Sequence, residues 1–99
     1  MPMDHLKETP GARPGESRAH RIKRLAMRSM RRGIKEMDII LSRYAAAQLD
    51  SMSDDALDVY EALLGENDQD LYQWVSGQQS PPAQFADLVA QIAAQPFVR

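Results

Sequence analysis

Apolar residues recur at intervals of three and four along most of this chain, which is the spacing of one face of an α-helix. The longest such run extends from Ile34 to Leu49 and predicts a central core helix. Its apolar positions are Ile34, Met37, Ile40, Leu41, Tyr44, Ala45 and Leu49. Shorter runs predict helices over about 17–31, 53–64, 67–76 and 80–95. Because no segment alternates apolar and polar residues as a half-buried strand does, the sequence predicts an all-α fold, a compact five-helix bundle with short loops.

Polar residues, glycines and a proline mark the predicted ends of these helices. The predicted N-caps are Ser17, Ser53, Asn67 or Asp68, and Ser80 in front of Pro81. The predicted terminators are Gly33, Gly65, Gly77 and Pro96. Gly33 follows the basic end of the first helix, so we expect it at C′ with a positive φ angle. The predicted buried stripe of the first helix is Ile22, Leu25, Ala26 and Met30, with the arginines and Lys23 covering the rest.

Residues 1–16 differ in composition from the rest of the chain. They contain Pro2, Pro10, Pro14, Gly11 and Gly15 and have almost nothing apolar to bury. Such a composition is typical of a disordered segment. The sequence therefore predicts a disordered N-terminal tail over 1–16 and a single helical domain over 17–99.

Charge is distributed unevenly along the chain. Residues 1–36 carry net +6 and residues 37–99 carry net −8, which gives the overall −2. The cations of the first helix form a basic stripe, a pattern that phosphate-binding surfaces also show. The acidic total and the lack of a recognition-helix pattern with Asn or Gln argue against nucleic acid as the partner. Because the stripe also lacks the Trp or Phe of interfacial helices, we expect no direct membrane insertion.

Groups that could perform chemistry are few. The chain has no cysteine, and His5 and His20 have no carboxylate cluster beside them. Neither a set of converging metal ligands nor a nucleophile with its base is visible in the spacing. The sequence therefore predicts a binding protein, not an enzyme, without catalytic or metal-ligating residues. Since no secretory signal and no apolar run of about 20 residues occurs, we expect a cytoplasmic location.

Two segments together resemble a known family. Arg32-Gly33-Ile34-Lys35-Glu36 fits an RGxxE motif and continues into Met37-Asp38 and an apolar helix. A second block runs from Tyr60 to Leu64 and continues with Asp68 to Trp74. This pattern resembles the FAD assembly factor SdhE family, also called succinate dehydrogenase assembly factor 2, over about residues 21–77. The chain departs from many relatives at Met27 and Met30, where they carry an aromatic residue or a cysteine.

The resemblance implies a five-helix protein that binds the flavoprotein subunit of succinate dehydrogenase and promotes the covalent attachment of FAD to one of its histidines. It implies the fumarate reductase flavoprotein as a second client. FAD would be the cofactor of the client, with no cofactor held stably by this chain. We further expect a monomer when the protein is free. The residues that the motif assigns to partner binding are Arg31, Arg32, Gly33, Glu36 and Asp38.

Other interpretations of these residues remain open from the sequence. Gly33 fits a simple helix terminator, and Glu36 fits a first-turn carboxylate stabilised by the helix dipole. Tyr72 and Trp74 are predicted as core residues rather than as an aromatic anchor for a partner. The alternative function is a small helical regulator that binds nucleic acid or a toxin-like partner.

Overall fold

Five α-helices and no strand make up the fold of residues 11–96, the part of the chain that the computed structural model describes. The helices are α1 (Arg18–Arg28), α2 (Lys35–Gln48), α3 (Asp54–Leu64), α4 (Asp68–Val75) and α5 (Ala86–Ala93). Short 3₁₀ turns at Leu49–Ser51 and Ala83–Phe85 extend α2 and precede α5. The prediction of an all-α five-helix bundle is confirmed. No helix in this described part is both long and apolar enough to span a membrane.

Helix α2 supplies the centre of the core, as its periodicity predicts. Its buried side chains are Met37, Ile40, Leu41, Tyr44 and Ala45, and Leu49 follows in the 3₁₀ turn. They pack against Leu25, Leu57, Tyr60, Leu63, Leu64, Leu71, Val75, Phe85, Leu88, Val89 and Ile92. The predicted core positions of α2 are therefore confirmed, except that the N-cap residue Ile34 is only partly buried. Burying one such side chain completely contributes roughly 1.5–3 kcal/mol.

Three of the predicted N-caps hold. Ser17 accepts a hydrogen bond from the backbone N–H of His20, Ser53 accepts one from Ala56, and Asn67 accepts one from Gln69. Gly77 has a φ angle of +85°, as a glycine that ends a helix commonly does.

The predicted cap of the fifth helix, Ser80, is wrong. The helical chain begins instead at Ala83, after Pro82 with φ −56° and ψ 150°. Two consecutive prolines explain the delay, because a proline disfavours the helical conformation of the residue before it. Ser80 and Pro81 therefore stay outside the helix, and α5 starts only at Ala86.

Helix α1 ends three residues earlier than its pattern predicts. Ser29 caps it, is fully buried, and donates from its hydroxyl to the carbonyl oxygen of Leu25 at 2.8 Å. The same hydroxyl lies 2.6 Å from Tyr60 Oη on α3. Burial raises the pKa of Tyr60 to about 12, so the phenol stays protonated and can donate within this pair. The predicted core position Met30 is wrong, since its side chain is 47% exposed.

Several arginines of α1 face inward, contrary to the prediction that they cover the solvent side. Arg21 is 4% exposed and Glu61 of α3 is 3% exposed. Arg21 Nη2 lies 3.1 Å from Glu61 Oε1 and 2.6 Å from Asp58 Oδ1, while Arg24 Nη1 lies 2.8 Å from Glu61 Oε2. Burial of Glu61 raises its pKa, but the arginine hydrogen bonds outweigh burial and leave it lowered. This ionic cluster fastens α1 to α3.

Residues 11–16 also contact the bundle, although the sequence places them in a tail. Glu16 accepts two hydrogen bonds from Arg24, at 2.8 Å from Nε and 2.9 Å from Nη2. The backbone N–H of Gly11 donates to Glu61 Oε1 at 3.3 Å. The remainder of the predicted tail, residues 1–10, lies outside the described residues, as do residues 97–99. Their assignment to tail and domain stays a prediction.

Candidate docking site at the junction of α1 and α2

The motif Arg32–Glu36 spans the end of the loop after α1 and the first residues of α2. The backbone conformation of this junction differs from the predicted one. The residue with positive φ is Arg31, at +57°, whereas Gly33 has no positive φ. A left-handed conformation costs a residue with a Cβ roughly 1–2 kcal/mol. The N–H of Arg31 donates to Asp38 Oδ2 at 2.9 Å, which helps to offset that cost. The prediction that Gly33 supplies the left-handed turn is therefore wrong.

Gly33 instead lets α4 approach the junction closely. Its backbone N–H donates to Asp68 Oδ2 in the first turn of α4. A Cβ on Gly33 would lie 3.0 Å from that same oxygen, closer than nearly all real Cβ contacts. A side chain at this position would therefore require Asp68 to shift by a few tenths of an ångström, whereas the backbone angle φ of Gly33 is not in the left-handed region.

Arg32 makes its hydrogen bonds inside the molecule. Its Nε donates to Asp68 Oδ1 at 2.8 Å, its Nη1 to the carbonyl oxygen of Arg28 at 2.9 Å, and its Nη2 to that of Leu64 at 3.2 Å. The side chain is only 10% exposed. Arg32 therefore links the ends of α1 and α3 to the start of α4. Its predicted contact with a partner stays a prediction, to which the structure adds this internal role.

Glu36, in contrast, points into solvent. It is exposed in the first turn of α2 and has no hydrogen-bond or ion-pair partner among the described residues. The side chains of Arg31 and Lys35 are exposed beside it. Asp38 is partly buried and accepts hydrogen bonds from the Arg31 N–H and from Ser42 Oγ, the latter at 3.3 Å. Of the five predicted site residues, Glu36 and Arg31 have the side chains most accessible to a partner.

Asp68 is a residue of this site that the sequence reasoning missed. The sequence predicts it as a possible cap of α4 and as part of the second block of the family resemblance, and the structure shows that it holds both Arg32 and Gly33. Its place in that second block was the available signal, because a carboxylate is the natural partner of an arginine side chain.

The aromatic residues of α4 belong to the bundle, as predicted. Tyr72 and Trp74 are partly buried and pack against the core. The ring of Trp74 lies 6.0 Å from that of Phe85. Among the described residues, no three His, Cys, Asp or Glu side chains are grouped so that they could hold a metal ion.

Comparison of the sequence with known proteins assigns this chain to a family. A family model described as "Flavinator of succinate dehydrogenase" matches residues 23–96, which include all five predicted site residues. The chain belongs to this family. The match confirms the resemblance drawn from the two sequence blocks, while the roles of the individual motif residues stay predictions.

Individual relatives agree with this assignment. Succinate dehydrogenase assembly factor 2, mitochondrial, of Meyerozyma guilliermondii is 48% identical over 71 residues, which cover 72% of this chain and 53% of that protein. The protein of the same name from Candida glabrata is 43% identical over 74 residues, 75% of this chain and 48% of the relative. The protein of that name from Lodderomyces elongisporus is 40% identical over 75 residues, which cover 76% of this chain and 46% of the relative. The chain therefore spans about half the length of the curated relatives it matches.

The names of these relatives correct one expectation. All three are mitochondrial proteins by name, which contradicts the cytoplasmic location expected from the sequence. That expectation was drawn from composition and from the absence of recognisable targeting features. The charge and hydropathy of a folded helical domain do not determine its compartment, so composition gave no physical basis for naming one.

Proposed function

We propose that this protein is an assembly factor that binds the flavoprotein subunit of succinate dehydrogenase and promotes covalent attachment of FAD to that subunit. Membership of the flavinator family carries the proposal. The junction of α1 and α2 supports it, since Glu36 is exposed there and no side chain of residues 11–96 binds it.

In this proposal the protein supplies geometry and no reactive group. The bond between the client's histidine and the flavin ring is formed by the chemistry of the cofactor and its site. A partner accelerates that step by binding more tightly to the client conformation in which histidine and flavin meet, because it shifts an equilibrium only by its differential affinity. Arg32 and Gly33 would shape the junction, and Glu36 and Arg31 would contact the client.

The remaining parts of the proposal rest on the family resemblance alone. FAD is the cofactor of the client and is not held stably by this chain. The fumarate reductase flavoprotein is a second client, and the free protein is a monomer.

The alternative of a nucleic-acid-binding regulator loses support from the ion pairs of α1. Arg18 pairs with Asp54, Arg21 with Asp58 and Glu61, and Arg24 with Glu16 and Glu61. Cations engaged by their own carboxylates contribute little to phosphate binding, which depends on the release of counterions by available Lys and Arg. Three arginines of the basic stripe of α1 are therefore paired with carboxylates of the same chain.

Reconstitution tests the proposed function. Purified apo-flavoprotein and FAD are mixed with the parent protein or with Glu36→Gln, and covalent flavin is followed by in-gel fluorescence. We expect the parent protein to raise the rate of covalent attachment and Glu36→Gln to bind the client more weakly and raise it less. Asp55→Asn is the matched control, because it also removes one exposed carboxylate from the first turn of a helix but lies on α3.

Two outcomes would count against the proposal. If the parent protein neither binds the apo-flavoprotein nor accelerates attachment, the proposed function is wrong. If excess Glu36→Gln binds the client as well as the parent does and yet yields no covalent flavin, Glu36 acts in the chemistry and the docking-only mechanism fails.

A further inference from the structure

Large apolar side chains at the surface of residues 11–96 are concentrated near the motif. Four such side chains are exposed: Met27 at 62%, Met30 at 47%, Ile39 at 44% and Val59 at 38%. The first three belong to the end of α1, the loop after it and the start of α2. We call Met27, Met30 and Ile39 the apolar patch. Val59 lies on α3 and lines a different cleft, of about 430 Å³, between α2, α3 and α5.

Hydrogen bonds across the junction connect the segments that carry Met30 and Ile39. Ser42 Oγ donates to the carbonyl oxygen of Ser29 at 3.3 Å, and the N–H of Arg31 donates to Asp38 Oδ2. Met30 lies between Ser29 and Arg31, so it sits against the same edge of α2. Ile39 borders that edge, since it follows Asp38 and lies three residues before Ser42.

The remaining member, Met27, is one turn before Met30. The backbone N–H of Met30 donates to the carbonyl oxygen of Met27 at 3.1 Å, which holds the two residues in consecutive turns. The patch is also continuous with the proposed contact residue Glu36, because Glu36 and Ile39 are three residues apart on α2 and therefore neighbours on its surface.

Cations border the patch. Lys23 is four residues before Met27 on α1, and Arg31 and Lys35 flank the loop. All three are exposed, and their side chains form no ion pair within the described part of the chain. A second copy of this protein is a poor occupant, because pairing the patch with itself across a two-fold axis would bring these cations together. The surface that fits is apolar at its centre and carries carboxylates around it.

We infer that the apolar patch is the central anchor of the client complex and binds an apolar recess, bordered by carboxylates, on the flavoprotein. This inference rests on the proposed function. Methionine suits such an anchor, since its unbranched and polarizable side chain adapts to the shape of its partner. The motif carboxylate Glu36 then lies at the edge of the contact rather than at its centre, and the patch supplies most of the affinity.

Affinity for the purified apo-flavoprotein, measured by calorimetry, tests the inference. The test variant is Met30→Gln with Ile39→Gln, and Met27→Gln alone is a second variant at the most exposed position. The control is Val59→Gln, which removes an exposed apolar side chain of similar size away from the junction. We expect the double variant to raise Kd at least about tenfold, Met27→Gln to raise it less, and Val59→Gln to leave it unchanged. Circular dichroism confirms that each variant is folded.

Salt separates the centre of the contact from its border. We expect Lys35→Glu to weaken binding strongly at low ionic strength and less at high ionic strength, because exposed charges are screened. The loss from the double variant should persist in high salt. If the parent protein binds the client and the double variant binds it equally well, the inference is wrong while the proposed function stands. If ultracentrifugation shows a dimer that the double variant abolishes and client binding is intact, the patch binds a second copy, and the inference is again wrong.

Discussion

Two physical reasons favour a glycine at a helix junction, a left-handed backbone and a lack of space. At Gly33 the first reason does not apply, because the residue with positive φ is Arg31. What Gly33 provides is room for Asp68, whose carboxylate would meet a Cβ at 3.0 Å. Since Arg32 also holds that carboxylate, it cannot easily move aside.

A double-mutant cycle distinguishes these two reasons. We expect Gly33→Ala to destabilise the parent protein by on the order of 1 kcal/mol, and to have a smaller effect in an Asp68→Ala background, where no carboxylate crowds the new methyl group. Urea unfolding gives the four free energies. An equal cost in both backgrounds would mean that the contact with Asp68 is not the reason for the glycine.

The adjacent arginines should differ sharply in their effect on stability. Arg32→Lys loses the planar fork that reaches Asp68 and two carbonyl oxygens, so we expect it to lower the free energy of unfolding by roughly 1–3 kcal/mol. Arg31→Lys is the matched control and should change it by less than about 0.5 kcal/mol, because that side chain is exposed. Equal unfolding midpoints in urea for both variants would contradict the internal role of Arg32.

At the scale of the residue, the sequence selects the motif positions but does not show which groups of the chain they contact. The motif makes it possible to recognise Arg32, Gly33 and Glu36 in the sequence. It does not show which of their side chains are exposed. Whether an arginine faces a client or its own chain depends on a carboxylate 36 residues away. Periodicity within one helix contains no information about such a contact.

At the scale of the element, the N-caps are testable in pairs. Ser53 caps α3 through its hydroxyl, whereas Ser80 lies ahead of two prolines and caps nothing in the described structure. We expect Ser53→Ala to cost about 1 kcal/mol of stability and Ser80→Ala almost none. Thermal unfolding followed by circular dichroism measures both. A comparable loss from Ser80→Ala would show that the start of α5 is not as described.

Helices were predictable where one force dominated. The burial of a broad apolar face determines α2, and a capping serine or asparagine determines the starts of α1, α3 and α4. The end of α1 was not predictable from its periodicity, because the left-handed residue after the helix is Arg31 and not the glycine. At the start of α5 two local effects compete. Ser80 favours a cap, but the two prolines disfavour the helical conformation of the residues before them, and the effect of the prolines is the stronger one.

At the scale of the whole molecule, the basic part of the chain, residues 1–36, pairs with carboxylates of the acidic part, residues 37–99. Arg18, Arg21, Arg24 and Arg32 all bind carboxylates from residues 54–68. The sequence alone suggested a basic surface and an acidic surface. Folding instead places much of the basic part against the acidic part, while Lys23, Arg31 and Lys35 stay exposed.

Acid should weaken the contact between residues 11–16 and α1 in a defined range of pH. The hydrogen bonds from Arg24 lower the pKa of Glu16 from its ordinary 4.5 to about 2. Because the folded pKa lies below the unfolded one, the stabilisation by Glu16 is complete above about pH 4.5 and disappears as the pH falls toward 2. We expect Glu16→Gln to be less stable at neutral pH and to lose less stability over that range. Urea unfolding at several pH values measures this, and parallel curves for variant and parent would contradict it.

The pairing between the two parts of the chain also has a consequence for biosynthesis. A ribosome releases α1 first, and the carboxylates of α3 that hold its arginines follow 36 to 40 residues later. Until α3 emerges, these arginines have no carboxylate of α3 to bind. We therefore expect α1 to take its final place only after α3 has left the ribosome, so that the helices fold as one unit rather than one by one.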